Sequence, residues 1–368
     1  MKWIKNLDSS VLNFVENLKV DKNNYKYNPI INLNPDLALG FSNYALKINI
    51  LLDQLKNFSK KEIEGWSNYF ESFQSNDLNY PINSYIDNSY IRLFNQQNNE
   101  NLTKSSIKKV SNYLLNTNFK STNAKIHDYF RAETKQTIAS LLEINSISKN
   151  KFLDFPKNEI AVENFLNSLN WRYPWSSGGQ LAALSVFSKT QLDDLTFQKN
   201  KKIIENFLNK LVSKENGMFY KSFKIPNNKE LVNGAMKVIS AMDWLDVKIH
   251  YPDKIIDTCL HIDPISEGCD IVDITYVLYK CSKQTNYKKN EIITYLTKLL
   301  DLIYEHYKPK LGGFSYFKNT CQTNYYGVKF AKEENTADIH GTVLMLWSVV
   351  MIMDILEIDY FNYKVIKP

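Results

Sequence analysis

The segment Thr336-Ala337-Asp338-Ile339-His340-Gly341-Thr342, running on into Val343-Leu344-Met345-Leu346, decides the reading of the fold. A polar, glycine-containing turn opens onto a helix that is apolar on every side. Such a helix has no face to give to water, so it is buried all round. Its apolar run, Val343 to Met353 with only Ser348 inside it, is shorter than the ~20 residues of a membrane span and reads as a core helix. The same arrangement recurs upstream. Ser177-Gly178-Gly179-Gln180 leads into Leu181-Ala182-Ala183-Leu184, Asn233-Gly234-Ala235 into Met236-Lys237-Val238-Ile239, and Glu267-Gly268-Cys269-Asp270 into Val272-Asp273-Ile274-Thr275. More polar helices, such as 200–213 and 289–306, lie between them. Very apolar helices alternating with amphipathic ones imply an inner layer covered by an outer one. The expected fold is all-α: an α/α toroid, a barrel of helical hairpins in a single large domain. An open solenoid of helix pairs is the competing architecture.

Helical periodicity continues outward. Leu37, Leu39, Tyr44, Leu46, Ile48, Leu51, Leu52 and Leu55 keep a stripe through 35–56. Ser59 and Glu62 form a capping box opening a helix that carries Ile63, Trp66, Phe70 and Phe73. Further helices are expected at 103–116, 124–143, 157–169, 178–189, 229–245, 266–282 and 335–356, and short extended pieces at 218–224 and 313–318. Residues 75–101, rich in Asn, Ser and Gln, read as a long loop or lid with one short helix. The chain divides into an N-terminal helical part of the toroid, 1–120, continuous with a core toroid over 121–368.

Composition narrows the partners. The 368 residues are 44% hydrophobic and 13% aromatic, enough for a sizeable core. The net charge of +6 is dispersed, and no basic stripe interleaved with aromatics marks a nucleic-acid surface. A small anionic substrate, a diphosphate or a uronate, suits the mild excess. Cys259, Cys269, Cys281 and Cys321 form no CxxC pair and imply buried thiols in a reducing compartment. The start, Met1-Lys2-Trp3-Ile4-Lys5-Asn6, has no apolar signal region, so a cytoplasmic protein without a transmembrane segment is expected. The GxxxxGK[ST], GxSxG, HExxH and GxGxxG signatures are absent.

Polar residues at the starts of the apolar helices are the candidates for chemistry. Asp270 and Asp273 stand three apart and share a helix face, where mutual repulsion makes one of them a neutral acid. Capping is the alternative role for each. His340 can carry protons or bind a metal, or be a satisfied structural residue. Arg131 can clamp an anionic group beside Glu133, or the two can serve interhelical ion pairs. Trp171 and Trp175 precede a glycine-rich helix start and offer faces to sugars or cations, or pack a loop. Lys237 is placed to hold a phosphate or carboxylate, and Tyr325 and Tyr326 to act as acids or as packing. Cys269, Asp270 or Asp273, and His340 make a conceivable zinc set with an open fourth position. Otherwise no cofactor is expected.

Gly312-Gly313-Phe314 followed by Asp338-Ile339-His340-Gly341-Thr342 resembles the C-terminal half of the terpenoid cyclase and protein prenyltransferase α/α toroid superfamily. That resemblance implies glycine-phenylalanine turns before inner helices and a zinc-binding histidine in an Asp-x-Tyr-His-Thr string. This chain lacks the tyrosine, reverses the order of its Cys269-Asp270 pair, and only approximates the cyclase Asp-x-Asp-Asp motif with Asp270-Ile271-Val272-Asp273. The strings at 131–145, 174–184, 233–245 and 269–278 also resemble uncharacterised bacterial toroid proteins associated with surface-polysaccharide genes. Three functions follow as expectations. One is a terpenoid cyclase-like enzyme with a carboxyl acid at Asp270 and Asp273, tuned or reprotonated by His340, in a cavity whose Trp171, Trp175, Phe314 and Tyr316 stabilise cations and where Asp338 helps to bind substrate. The second is a glycosidase, lyase or epimerase acting on an anionic bacterial saccharide. The third is a non-catalytic binding or scaffold toroid.

Overall fold

The computed structural model describes residues 2–21, 24–97, 121–263 and 268–368. Helix makes up 59% and strand 5%, so the protein is all-α. In chain order the helices are α1 Leu7–Leu18, α2 Leu39–Leu51, α3 Lys60–Glu71, α4 Asn88–Gln97, α5 Thr122–Glu143, α6 Glu159–Ser168 and α7 Pro174–Gln191. There follow α8 Asp194–Leu211, α9 Asn228–Trp244, α10 Pro252–Leu260, α11 Gly268–Ser282, α12 Lys289–His306 and α13 Ile339–Leu356. Two short hairpins, β1 Tyr307–Lys308 with β2 Gly313–Phe314 and β3 Asn324–Tyr325 with β4 Val328–Lys329, sit before α13. The helix expected at 103–116 lies outside the described residues.

The sequence explains most of the starts. Ser59 accepts from Glu62 N while Glu62 Oε2 accepts from Ser59 N, the capping box the spacing predicts. Asn227, Asp193 and Asp338 cap α9, α8 and α13 in the same one-sided way. Helix α7 begins at Pro174, four residues before the expected start, because proline suits the first helical position. The glycines read as turns therefore lie inside helices, within their first two turns, where Gly178 and Gly234 allow close approach. A Cβ on Gly234 would sit 2.6 Å from Pro174 Cβ, and one on Gly178 would sit 2.9 Å from Lys237 Cβ. This is how α7 and α9 pack together.

Six helices bear the very apolar pattern, and their contacts run in sequence. Helix α2 packs on α5, α5 on α7, α7 on α9, α9 on α11, α11 on α13, and α13 back on α2. The alternate helices flank them: α1 lies on α2, α3 on α5, α8 on α7, α10 on α11, and α12 on both α11 and α13. One hydrophobic cluster runs through all of this, from Ile4 to Ile366. Helices α1 and α10 are missing from the expected set, although Leu7, Val11, Phe14, Val15 and Leu18 bury one face of α1 in a plain helical period. The segment expected as a loop or lid holds α4, whose Tyr90, Ile91 and Phe94 are buried against the second hairpin. Helix α13 is long and apolar enough to cross a membrane, yet 72% of it is buried within the protein. It is the core helix its sequence suggested. All four cysteines are free thiols.

Candidate functional site

A cavity of about 540 Å³ opens among the six apolar helices, and every one of them contributes to its wall. From α2 come Tyr44 and Lys47, from α5 Arg131 and Lys135, and from α7 Trp175 and Gln180. Helix α9 supplies Lys237, α11 supplies Cys269 and Asp273, and α13 supplies His340 and Trp347. Residues 322–326 border it on one side, and Ile366 and Pro368 on another. This size accommodates a small ligand with most of its surface covered.

The wall holds polar atoms that nothing in the protein satisfies. Among the described residues, Asp273 Oδ2, His340 Nδ1, Gln136 Nε2 and Trp347 Nε1 are buried without a hydrogen-bond partner. Other unpartnered polar atoms, such as those of Ser188 and Asn200, lie elsewhere in the core, but these four border one cavity and can meet a ligand or water there. Burial raises the Asp273 carboxyl to about 7, against the pull of Lys237 and with the charge of Asp270 adding to the rise, so it can hold or release a proton near neutrality. The His340 ring stacks on Tyr44 with centroids 4.6 Å apart and lies 4.9 Å from the Tyr316 ring. Burial, and then the charge of Lys237, lower its pKa to about 3 and keep it a neutral imidazole.

Two further carboxyls shape the site from behind. Glu133 is fully buried, accepts from the Tyr325 hydroxyl, and is raised to about 8 by burial. Asp338 accepts from Gly341 N at 2.7 Å, Tyr316 N at 2.7 Å and Gln322 N at 3.0 Å. It thereby fixes the start of α13 and pins Tyr316 and Gln322 beside His340. The Tyr316 hydroxyl donates to Cys269 Sγ at 2.9 Å, and burial pushes that thiol up to about 11.

The expected residues divide. Asp273, His340, Arg131, Lys237, Trp175, Tyr325 and Tyr326 line the cavity, and Glu133, Tyr316 and Asp338 support its wall. Asp270 is separated from Asp273: Asn233 Nδ2 donates to it at 2.8 Å, Lys229 pairs with it at 3.0 Å, and it borders a small cleft elsewhere. Trp171 is packed against Phe207 with its Nε1–H donating to Leu166 O, and Phe314 is buried against Trp3 and Tyr307. Neither reaches the cavity. Among the described residues no group of three His, Cys, Asp or Glu side chains is placed to hold a metal ion, so Cys269, Asp270 and His340 do not come together as a zinc set.

Lys47 and Lys135 were not singled out in the sequence. Their signal is the placement of a cation inside a helix that is otherwise apolar: Lys47 is the only charged residue in α2. No protein-family model, no curated protein and no solved structure matches the chain.

Proposed function

We propose that the protein is an enzyme of lyase or epimerase type, acting by proton transfer on an anionic saccharide inside an α/α toroid. The cyclic order of contacts among α2, α5, α7, α9, α11 and α13 supports the toroid. The observation that carries the function is the presence, on neighbouring helices, of a carboxyl raised to about 7 and a neutral imidazole, each with an unsatisfied atom on the cavity. Asp273, near 7, can take a proton from a carbon or return one near neutrality, and His340, whose lowered pKa makes it a weak base, can hold a substrate group by hydrogen bond as a neutral ring. A carboxyl that can take and return a proton, on the same cavity as a neutral hydrogen-bonding ring, suits removal of a proton from a carbon and its return, or its loss with elimination.

Hydrolysis of a glycosidic bond asks for two carboxyl groups facing the substrate. The second one here, Asp128, is engaged by Arg131 at 3.2 Å and by Gln180 Nε2 at 2.8 Å. The cyclase reading asks for a dry aromatic wall around a carbocation. Lys47, Lys135 and Lys237 on this wall repel one. The free thiols and the absence of a CxxC pair favour a cytoplasmic setting.

The test is thermal-shift binding of acidic oligosaccharides and prenyl diphosphates, followed by deuterium uptake from solvent into the bound saccharide. An acidic saccharide should stabilise the protein and exchange a carbon-bound proton. Asp273→Asn and His340→Ala should each slow exchange by at least ~10²-fold. A prenyl diphosphate that binds tighter than pyrophosphate, with no saccharide binding, would restore the cyclase.

A further inference from the structure

Three amines meet the cavity, from three different helices: Lys47 of α2, Lys135 of α5 and Lys237 of α9. None makes an ion pair or hydrogen bond with a described residue. Other partly buried lysines do have carboxylate partners, as Lys280 with Asp243 and Lys288 with Asp257 illustrate. The three stand close enough to repel one another: Lys237 lowers the proton affinity of both Lys47 and Lys135, and Lys47 lowers that of Lys135. Burial is the largest cause in both and brings Lys47 to about 8, where the nearby Glu143 and Glu133 carboxyls partly support its charge, and Lys135 to about 7. A fold does not gather three unpaired cations in a half-buried pocket without cost. An anion inside the pocket would offset it.

We propose that Lys47, Lys135 and Lys237 bind a phosphoryl dianion, so that the anionic group of the substrate is a phosphate on the sugar and not a sugar carboxylate. The geometry and the charge both favour this choice. A carboxylate is planar, carries one charge, and is best held by the two-pronged arginine fork. The arginine at hand, Arg131, is already held by Asp128. Ammonium groups are compact point charges that converge on a tetrahedral, doubly charged group from several sides. A dianion answers more of the positive charge of these amines than a single carboxylate does. Gln136 Nε2 and Trp347 Nε1, both unpaired on the same wall, can donate to the remaining phosphate oxygens. The inference rests on the cavity being the substrate site, and not on the reaction assigned to it.

Calorimetric titration at constant ionic strength tests it, with inorganic phosphate, glucose 1-phosphate and glucuronate as probes. Phosphate should bind, glucose 1-phosphate more tightly, and glucuronate at least tenfold more weakly than the sugar phosphate. Lys47→Met, Lys135→Met and Lys237→Met should each weaken phosphate binding tenfold or more, while the exposed Lys199→Met leaves it unchanged. Methionine keeps the apolar stem, and Lys→Gln versions at the same sites form a second set. Glucuronate binding as tightly as glucose 1-phosphate, or phosphate binding indifferent to all three lysines, overturns the proposal. Glucose 1-phosphate binding no tighter than phosphate would keep the anion site and sink the saccharide reading.

Discussion

At the residue scale the site is governed by desolvation. Lys135 and Lys47 lose protons as pH rises through about 7 and 8, and Asp273 gains a negative charge as pH rises through about 7. The charged and titratable groups around them are Tyr44, Asp128, Arg131, Lys237, Cys269, His340, Tyr325 and Tyr326 on the cavity, with Glu133 and Glu143 acting on Lys47 and Asp270 and Lys229 acting on Asp273 from behind it. All three titrations make the cavity less positive from pH 6 to pH 9. Sulfate, a dianion throughout that range, should therefore bind more weakly as pH rises, by about tenfold for each amine lost. A flat profile would show that the amines do not contact the ion. Glu133 gives a second residue-scale prediction. Its pKa is raised from 4.5 to about 8 on folding, so the folded state holds a proton that the unfolded state releases. Stability is thus lost as pH rises from about 4.5 to 8. Glu133→Gln removes that loss, and its melting temperature should gain on wild type by several degrees more at pH 8.5 than at pH 5. A pH-independent difference would contradict this. Glu133 itself was legible in the sequence as a polar residue beside an apolar run, although it sits in the middle of α5 and not at its start. Its Tyr325 partner lies 192 positions away, and no local pattern announces it.

Among elements, the helix starts carry the architecture. Gly341 lies in the first turn of α13, and a Cβ there would come within 2.4 Å of Tyr316 N and 2.5 Å of Ser315 C. These are backbone atoms, and Asp338 and Thr342 already hold that strand against the helix. Gly341→Ala should cost about 1–3 kcal/mol in urea unfolding. Gly179, in α7, has nothing within 4 Å of its Cβ position. Gly179→Ala should be neutral or stabilise by up to about 1 kcal/mol, since alanine is the better helix former. If the two variants unfold at the same midpoint, the close docking at Gly341 is wrong. The alternation of apolar and amphipathic helices was readable from periodicity, and so were the cap residues. Pro174 could have been read as a helix start as well. The function of Gly178 and Gly234 could not, because a glycine that admits a neighbouring helix looks the same in sequence as one that turns the chain.

For the whole molecule, the contact of α2 with α13 joins the two ends of the described fold. Residues 1–120 should then be no separate unit. Leu46 of α2 is fully buried, and Leu46→Ala should destabilise the protein by about 2–5 kcal/mol. Because α2 completes the circuit, the variant should speed amide exchange in α11 and α13 along with α2, in one cooperative transition. Faster exchange confined to α1–α4 would make the N-terminal part independent. What the sequence determined by itself was the class of fold, the buried character of α7, α9, α11 and α13, and the presence of Asp273 and His340 at their starts. Local propensity and hydrophobic period act over a few residues and are written in the order of the chain. The tertiary structure alone decided that Asp270 turns to Lys229 while Asp273 faces the cavity, that Trp171 and Phe314 pack into the core, and that Lys47, Lys135 and Lys237 converge. Each of those outcomes depends on how one helix is rotated against its neighbours, which is settled by the packing of side chains far apart in sequence.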